Sequence, residues 1–251
     1  MIGFHMLSGI LILLITIVWS CNGENFPTSI KKCKNEDKKC IATTISDIIK
    51  RAATTGMPEL GIKPINPYPL PKVNIERGQG AVILRIILKD ASLIGIDCYV
   101  IDKINGFDRN PRDSVFELIG RCNSISIVGP YKMSGRFLLL PVAGEGMSTI
   151  TFHKVNFTMN WQTDVETRDG KDYLKIKSVD YKSSIKRLHM NMENLFNNKA
   201  LSDNMNTIFN ENYQLIFNEI QEPVEKSFEN ILLDVIQPVF DKFPYNEMFA
   251  E

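Results

Sequence analysis

Residues 205–243 decide the fold, and they read MNTIFNENYQLIFNEIQEPVEKSFENILLDVIQPVFDKF. Apolar residues recur every three or four positions along this stretch, which predicts an amphipathic helix. At 1.5 Å per residue such a helix would be roughly 58 Å long. Pro223 and Pro238 each remove a helical hydrogen bond, so we expect either a kink or two abutting helices.

The preceding region, from Val73 to about Tyr181, has a hydrophobic period of two instead, which predicts β-strands. Alternating runs cover 82–89 and 94–100, and further strands are predicted at Ser124–Val128, Met133–Pro141, Met147–Trp161 and Tyr173–Tyr181. Turn signals lie at Asp90, Asn105-Gly106, Gly129-Pro130, Gly144 to Gly146 and Asp169-Gly170. Long strands joined by short turns, without helices between them, indicate an antiparallel meander.

Together the two patterns predict an α+β fold, in which a strongly curved antiparallel β-sheet wraps around a long C-terminal α-helix. A long interior of Val, Ile, Leu, Met and Phe is hard to fill completely, so we expect a hydrophobic tunnel that accepts an elongated apolar ligand. The alternative is that the same residues form an ordinary filled core. The expected lining residues are Val82, Leu84, Ile86, Ile94, Ile96, Val100, Phe137, Leu139, Val155, Phe157, Met159, Trp161, Leu174, Ile176, Ile208, Ile216 and Ile220. Tyr99, Tyr131, Thr151 or His153 would supply a polar contact.

The N-terminus has the pattern of a secretory signal peptide. Leu7 to Trp19 is an almost wholly apolar run that is too short for a comfortable membrane span, and small residues follow it. Cleavage after Gly23 gives a signal peptide of residues 1–23 and a single domain of residues 24–251. Cleavage after Ser20 and an uncleaved N-terminal anchor are the alternatives.

Secretion makes the remaining cysteines disulfide candidates. Cys33 and Cys40 flank a short polar loop and are predicted to pair, whereas Cys98 and Cys122, on neighbouring predicted strands, either bridge or remain buried thiols. A zinc site is not expected, because no C-x-x-C spacing occurs. The sequon Asn156-Phe157-Thr158 predicts glycosylation if Asn156 faces water.

Two segments connect the cysteine loop to the sheet. Ile41 to Met57 is predicted to be an amphipathic helix with Thr43 or Thr44 as its N-cap. The stretch Gly61 to Lys72 holds four prolines in eight residues, which predicts an extended strap leading into the sheet; a recognition peptide is the alternative.

Composition and motifs argue against several classes of function. Lys and Arg total 29 and so do Asp and Glu, so bulk charge offers no basic surface for nucleic acid. The chain lacks a G-x-S-x-G motif and a phosphate loop, and no cofactor is expected. His153 and His189 remain as candidates for a hydrolase.

Several short motifs, in order and spacing, resemble the takeout and juvenile-hormone-binding protein family of insects. They are Cys33 with Cys40, Gly61-Ile-Lys-Pro-Ile-Asn-Pro67, Asp90-Ala-Ser-Leu-Ile-Gly95, Ile127-Val-Gly-Pro-Tyr131 with Gly135, Leu140-Pro-Val-Ala-Gly-Glu-Gly146, Leu195-Phe-Asn197, Asn210-Glu-Asn-Tyr213 and Pro244-Tyr-Asn-Glu-Met-Phe249. The chain is closer to the takeout-like branch, since no cysteine follows Cys122. Tyr213, Asn246 and Ala250 depart from the family pattern, which leaves the ligand open.

The resemblance implies a secreted, noncatalytic carrier of a lipophilic small molecule such as juvenile hormone, a fatty acid or a similar long-chain lipid, without stable membrane insertion. It also implies a link to feeding, circadian output or chemosensation. Two other functions stay open. One is a secreted signalling protein that contacts a membrane or receptor through its amphipathic helix; the other is a secreted lipid esterase.

Overall fold

The computed structural model describes residues 25–77 and 82–251, so the predicted signal peptide lies outside the described residues. Seven strands, three α-helices and four short 3-10 turns make up the described part. The principal elements are α1 (Lys38–Thr55), β1 (Tyr68–Arg77), β2 (Val82–Ile94), β3 (Val100–Asn105), β4 (Phe116–Phe137), β5 (Leu140–Arg168), β6 (Lys171–Ser184), β7 (Arg187–Met192), α2 (Lys199–Glu211) and α3 (Tyr213–Lys242). This order confirms the sheet followed by C-terminal helices.

Helix α1 begins earlier than the sequence pattern predicted. The Asp37 side chain accepts a hydrogen bond from the backbone N–H of Cys40, at 2.9 Å, and so caps the helix. The prediction of a cap at Thr43 or Thr44 is therefore wrong, because both lie inside the helix. The helix ends at Gly56, whose φ of 72° suits glycine.

A long hairpin of β4 and β5 forms the centre of one antiparallel sheet. On one side β4 pairs with β2 and β3, and β1 extends the sheet beyond β2. On the other side β5 pairs with β6 and β7. The tight turn at Asp169-Gly170 joins β5 to β6, as predicted.

Three of the predicted turns are wrong, since Asp90, Gly129-Pro130 and Gly144 to Gly146 lie inside strands. Their glycines serve close packing rather than chain reversal. A Cβ on Gly129 would lie 2.6 Å from the Cα of Ala91, and one on Gly144 would lie 2.8 Å from the Cα of Leu195.

The sheet curves around α3. Strand β5 has 29 residues and would be about 95 Å long if it were flat, far longer than a domain with a radius of gyration of about 18 Å. Pairing in the central hairpin skips Asn123 and Lys154, where Lys154 has a φ of 53°. Strands β1 and β6 end the β1-β2-β4-β5-β6 pairing path, and both contact α3.

The C-terminal region forms two abutting helices, but the prediction that a proline separates them is wrong. They separate at Asn212, whose side chain donates to the carbonyl of Ile208 at 2.8 Å and so ends α2. Pro223 and Pro238 both lie inside α3.

Polar side chains of α3 fix the helix to the open edge of β6. The Glu225 carboxylate accepts the backbone N–H of Ser183 at 2.7 Å, and the Gln237 amide oxygen accepts that of Ile176 at 2.8 Å. Apolar residues of the same helix, among them Ile216, Ile220 and Phe228, belong to the core that the sheet covers. Among residues 25–77 and 82–251, no helix combines the length and apolar character needed to cross a bilayer.

Candidate functional site

An apolar cavity of about 230 Å³ lies beneath α1, between this helix, the C-terminal half of α3 and the sheet. Its walls come from α1 (Ile41, Thr44, Ile45, Ile48, Ile49), from α3 (Phe228, Ile231, Leu232, Val235, Ile236, Val239, Phe240) and from the strands (Leu93, Ile101, Leu118, Phe157, Met159, Trp161, Tyr181). The N-terminal segment adds Phe26, Ile30, Lys31 and Cys33, and the tail adds Met248 and Phe249. Of the described residues that line the cavity, Lys31 alone is charged.

The facing sides of α1 and α3 do not pack tightly against each other. Ile45, Ile48 and Ile49 on α1 are half-buried, and so are Val235 and Ile236 on α3. All five are lining residues. Apolar side chains that border empty space lack van der Waals contacts on that side. A bound apolar molecule would supply those contacts.

Aromatic rings form one wall of the cavity. Tyr181 stacks between Phe157 and Phe228, with ring centroids 5.8 and 5.4 Å apart. The ring of Tyr99 packs against Phe157 at 5.1 Å. Stacked rings of this kind stabilise one another beyond the area that they bury.

Two tyrosine hydroxyl groups meet at this wall. The hydroxyls of Tyr99 and Tyr181 lie 3.0 Å apart. Burial raises the pKa of Tyr99 to about 12 and that of Tyr181 well above its usual value, so both stay protonated at neutral pH. One hydroxyl donates to the other, which leaves one proton available to an oxygen atom in the cavity.

Four of the expected lining residues border the cavity: Ile96, Phe157, Met159 and Trp161. Of the polar candidates, Tyr99 lies there too. Tyr131 instead donates to the carbonyl of Glu193 at 2.6 Å. Thr151 and Ser126 share a hydrogen bond at 2.9 Å, outside the cavity walls.

Most of the other expected lining residues belong to the filled part of the core. They are buried but do not border the cavity: Val82, Leu84, Ile86, Phe137, Val155, Leu174, Ile176, Ile216 and Ile220. Ile208 is partly buried and packs against the same core. The cavity thus borders the C-terminal half of α3, whereas Ile216 and Ile220 in its N-terminal half are buried away from it.

Three expected lining residues lie on the surface, so the inward positions predicted for them are wrong. Ile94 is 42% exposed, because a bulge between Leu88 and Ser92 shifts the alternation of β2 by one residue. Val100 is 39% exposed, since the turn at Ile96–Cys98 breaks the run. Leu139 is 88% exposed, because it lies in the turn between β4 and β5.

Sequence reasoning missed the contribution of α1 and of the segment before it. Ile45, Ile48 and Ile49 form one apolar side of the helix predicted from Ile41 to Met57, and the sequence pattern assigns no partner to that side. That unpartnered side was the available signal. The backbone N–H of Ala250 donates to the carbonyl of Cys33 at 2.9 Å, which joins the tail to the N-terminal segment beside the cavity.

Two disulfides join chain segments beside the cavity. Cys33–Cys40 is present, as predicted, and Cys98–Cys122 is also bridged, with Cα atoms 4.9 Å apart. The second bridge anchors the chain next to Tyr99 to β4. The Asn156 side chain is exposed and its neighbours Val155 and Phe157 are buried, the arrangement on which the glycosylation expectation depends.

Neither candidate histidine borders the cavity. His153 lies on β5, with its Nδ1 3.5 Å from the hydroxyl of Ser124. His189 lies on β7 and is exposed. Neither imidazole of the described residues therefore lies near a molecule held in the cavity.

The comparisons with known proteins agree with this architecture. The family model described as haemolymph juvenile hormone binding protein (JHBP) matches residues 11–250. The circadian clock-controlled protein daywake of Drosophila melanogaster is 26% identical over 91% of this chain and 90% of its own length. Its counterpart in Drosophila yakuba is 24% identical over 90% and 89%.

Among solved structures, Takeout 1 of Epiphyas postvittana superposes with a TM-score of 0.76 at 23% sequence identity. The match covers 88% of this chain and all of that one, and it confirms the fold of a curved sheet around a helix. The family model spans almost the entire chain, so this protein belongs to the haemolymph juvenile hormone binding protein family.

Proposed function

We propose that the chain is a secreted, noncatalytic carrier that holds a lipophilic small molecule in the cavity beneath α1. Residues 1–23 serve as its signal peptide and residues 24–251 form one ligand-binding domain. Juvenile hormone, a fatty acid or a similar long-chain lipid fits the chemistry of the walls. The observation that carries the proposal is the apolar cavity itself, lined from two helices and the sheet.

Affinity in such a site comes from removing aliphatic surface from water. Each buried CH₂ group contributes about 0.8 kcal/mol, so each added methylene that fits strengthens binding about fourfold. The hydroxyl pair of Tyr99 and Tyr181 offers one proton to any oxygen that a ligand carries away from its head group.

The test is displacement of a fluorescent fatty acid from protein expressed in insect cells, together with native mass spectrometry. Val235→Trp places an indole among the cavity walls and should abolish binding, whereas Val115→Trp, at a valine that is 75% exposed, should leave binding intact. Circular dichroism checks that both variants fold. Wild-type protein that neither copurifies with a lipid nor binds the fluorescent fatty acid would contradict the carrier function.

The physiological setting is a further part of this proposal. Relatives carry the name circadian clock-controlled protein, which supports clock control of this chain as well. Sampling its transcript through the day tests this. Glycosylation at Asn156 is tested by a mass shift that PNGase F reverses and that Asn156→Gln eliminates.

A further inference from the structure

A second, polar cleft of about 460 Å³ runs along the outer side of α1. It lies between this helix and the segment around Ser29 to Lys31. Six charged side chains line it: Lys31, Lys39, Lys50 and Arg51, with Asp37 and Asp47. Four cations against two carboxylates leave the cleft with a net positive charge.

The cleft adjoins the apolar cavity. Four residues line both of them, namely Ile30, Lys31, Thr44 and Ile48. The place where they meet is therefore between the N-terminal segment and the middle of α1. A molecule extending across this junction would have one part among aliphatic side chains and the other part among lysines.

The cations of the cleft are available to a ligand. Lys31, Lys39 and Lys50 make no ion pair with any described residue, and all three are exposed. Arg51 is engaged, since it donates to the carbonyl of Ser29 at 3.1 Å and forms an ion pair with Glu59 at 3.9 Å. The Asp37 carboxylate is already occupied as the cap of α1.

We propose that the cavity and the cleft form one composite site for a single-chain lipid anion. The aliphatic chain lies in the cavity, and the anionic head group lies in the cleft against Lys31. This inference rests on the carrier function proposed above and specifies the ligand class. Charge complementarity supports it, because Lys31 is the one charged residue, among those described, that lines both spaces.

The head group belongs at the junction and not at the tyrosine wall. A carboxylate buried in an apolar site without a cation is strongly disfavoured. The Tyr99 and Tyr181 hydroxyls are neutral at physiological pH and face apolar neighbours. A lysine at the junction can keep its ammonium group hydrated while its methylene stem covers apolar surface.

Palmitate and methyl palmitate distinguish this proposal, because they share a chain and differ in head-group charge. Palmitate should bind more tightly than the ester, and raising the ionic strength should weaken palmitate binding only. Lys31→Gln should lower palmitate affinity about fivefold, the effect of losing one exposed charge pair, and leave the ester unchanged. Lys89→Gln, at an exposed lysine on β2, is the matched control and should change neither affinity.

The possible failures are separable. If both probes bind equally and Lys31→Gln affects neither, the composite site is wrong while the carrier function stands. If the ester binds more tightly than palmitate, the ligand is a neutral lipid and the anionic head group is refuted. If neither probe nor any copurified lipid binds, the carrier function fails together with this inference.

Discussion

The hydroxyl pair at the cavity wall allows a quantitative test of how the site is built. Tyr181→Phe removes one hydroxyl and leaves that of Tyr99 without its partner at 3.0 Å. Tyr99→Phe does the reverse. The double variant removes both hydroxyl groups and keeps both rings, so the ring at position 181 still stacks on Phe157.

The magnitudes follow from the burial of the pair. Each single variant loses a hydrogen bond and leaves one buried hydroxyl unsatisfied, which costs about 1–3 kcal/mol. Replacing both partners by apolar groups of similar shape is nearly neutral, so the double variant should be no less stable than the weaker single one. The coupling between the two sites should therefore be about 1 kcal/mol or more.

Urea unfolding of the four proteins measures these free energies, and thermal midpoints provide a second readout. A loss of 1 kcal/mol lowers the midpoint of a domain of this size by about 2–4 °C. Spectrophotometric titration should also show two fewer high-pKa tyrosines in the double variant. Strictly additive single losses would refute a direct contact between the hydroxyls.

Three further outcomes are expected. Replacing both cysteines of Cys98–Cys122 by alanine should cost about 3.5 kcal/mol in urea unfolding, against about 2.4 for Cys33–Cys40, because the bridged separations are 24 and 7 residues; equal losses would contradict this. The pKa of Asp108 is lowered because Lys38 donates to it at 2.9 Å, so its stabilising effect is full above the unfolded-state pKa and is lost as pH falls through the lower folded value. Asp108→Asn should flatten this part of the acid unfolding curve, and an unchanged curve would contradict the contact. His153→Ala should leave lipid binding and any background ester hydrolysis unchanged. Loss of hydrolysis in this variant would support the esterase function instead.

The sequence was sufficient for the fold class because the hydrophobic period changes clearly between the sheet region and the C-terminal region. Period two up to about Tyr181 and helical spacing after Met205 correspond to the sheet and to the helices it surrounds. The glycines were misinterpreted for a physical reason. Gly129 and Gly144 are needed where another chain segment comes within van der Waals distance, and that proximity is visible only in three dimensions.

The position of the cavity was harder to predict than its existence. Periodicity identifies inward residues such as Leu84 and Met159 equally well, but it does not tell which of them borders empty space. That depends on how far α1 lies from α3, and the distance is set by packing between segments far apart in sequence. The sequence also does not show where the inward and outward positions of a strand exchange. The bulge in β2 at Asp90 causes such an exchange and places Ile94 on the surface.

Native mass spectrometry of protein secreted from insect cells, followed by identification of any released molecule, tests the carrier account most directly. The account predicts one bound single-chain lipid per protein, lost in Val235→Trp and retained in Val115→Trp. Folded wild-type protein that is empty, and that takes up neither palmitate nor methyl palmitate, would contradict it.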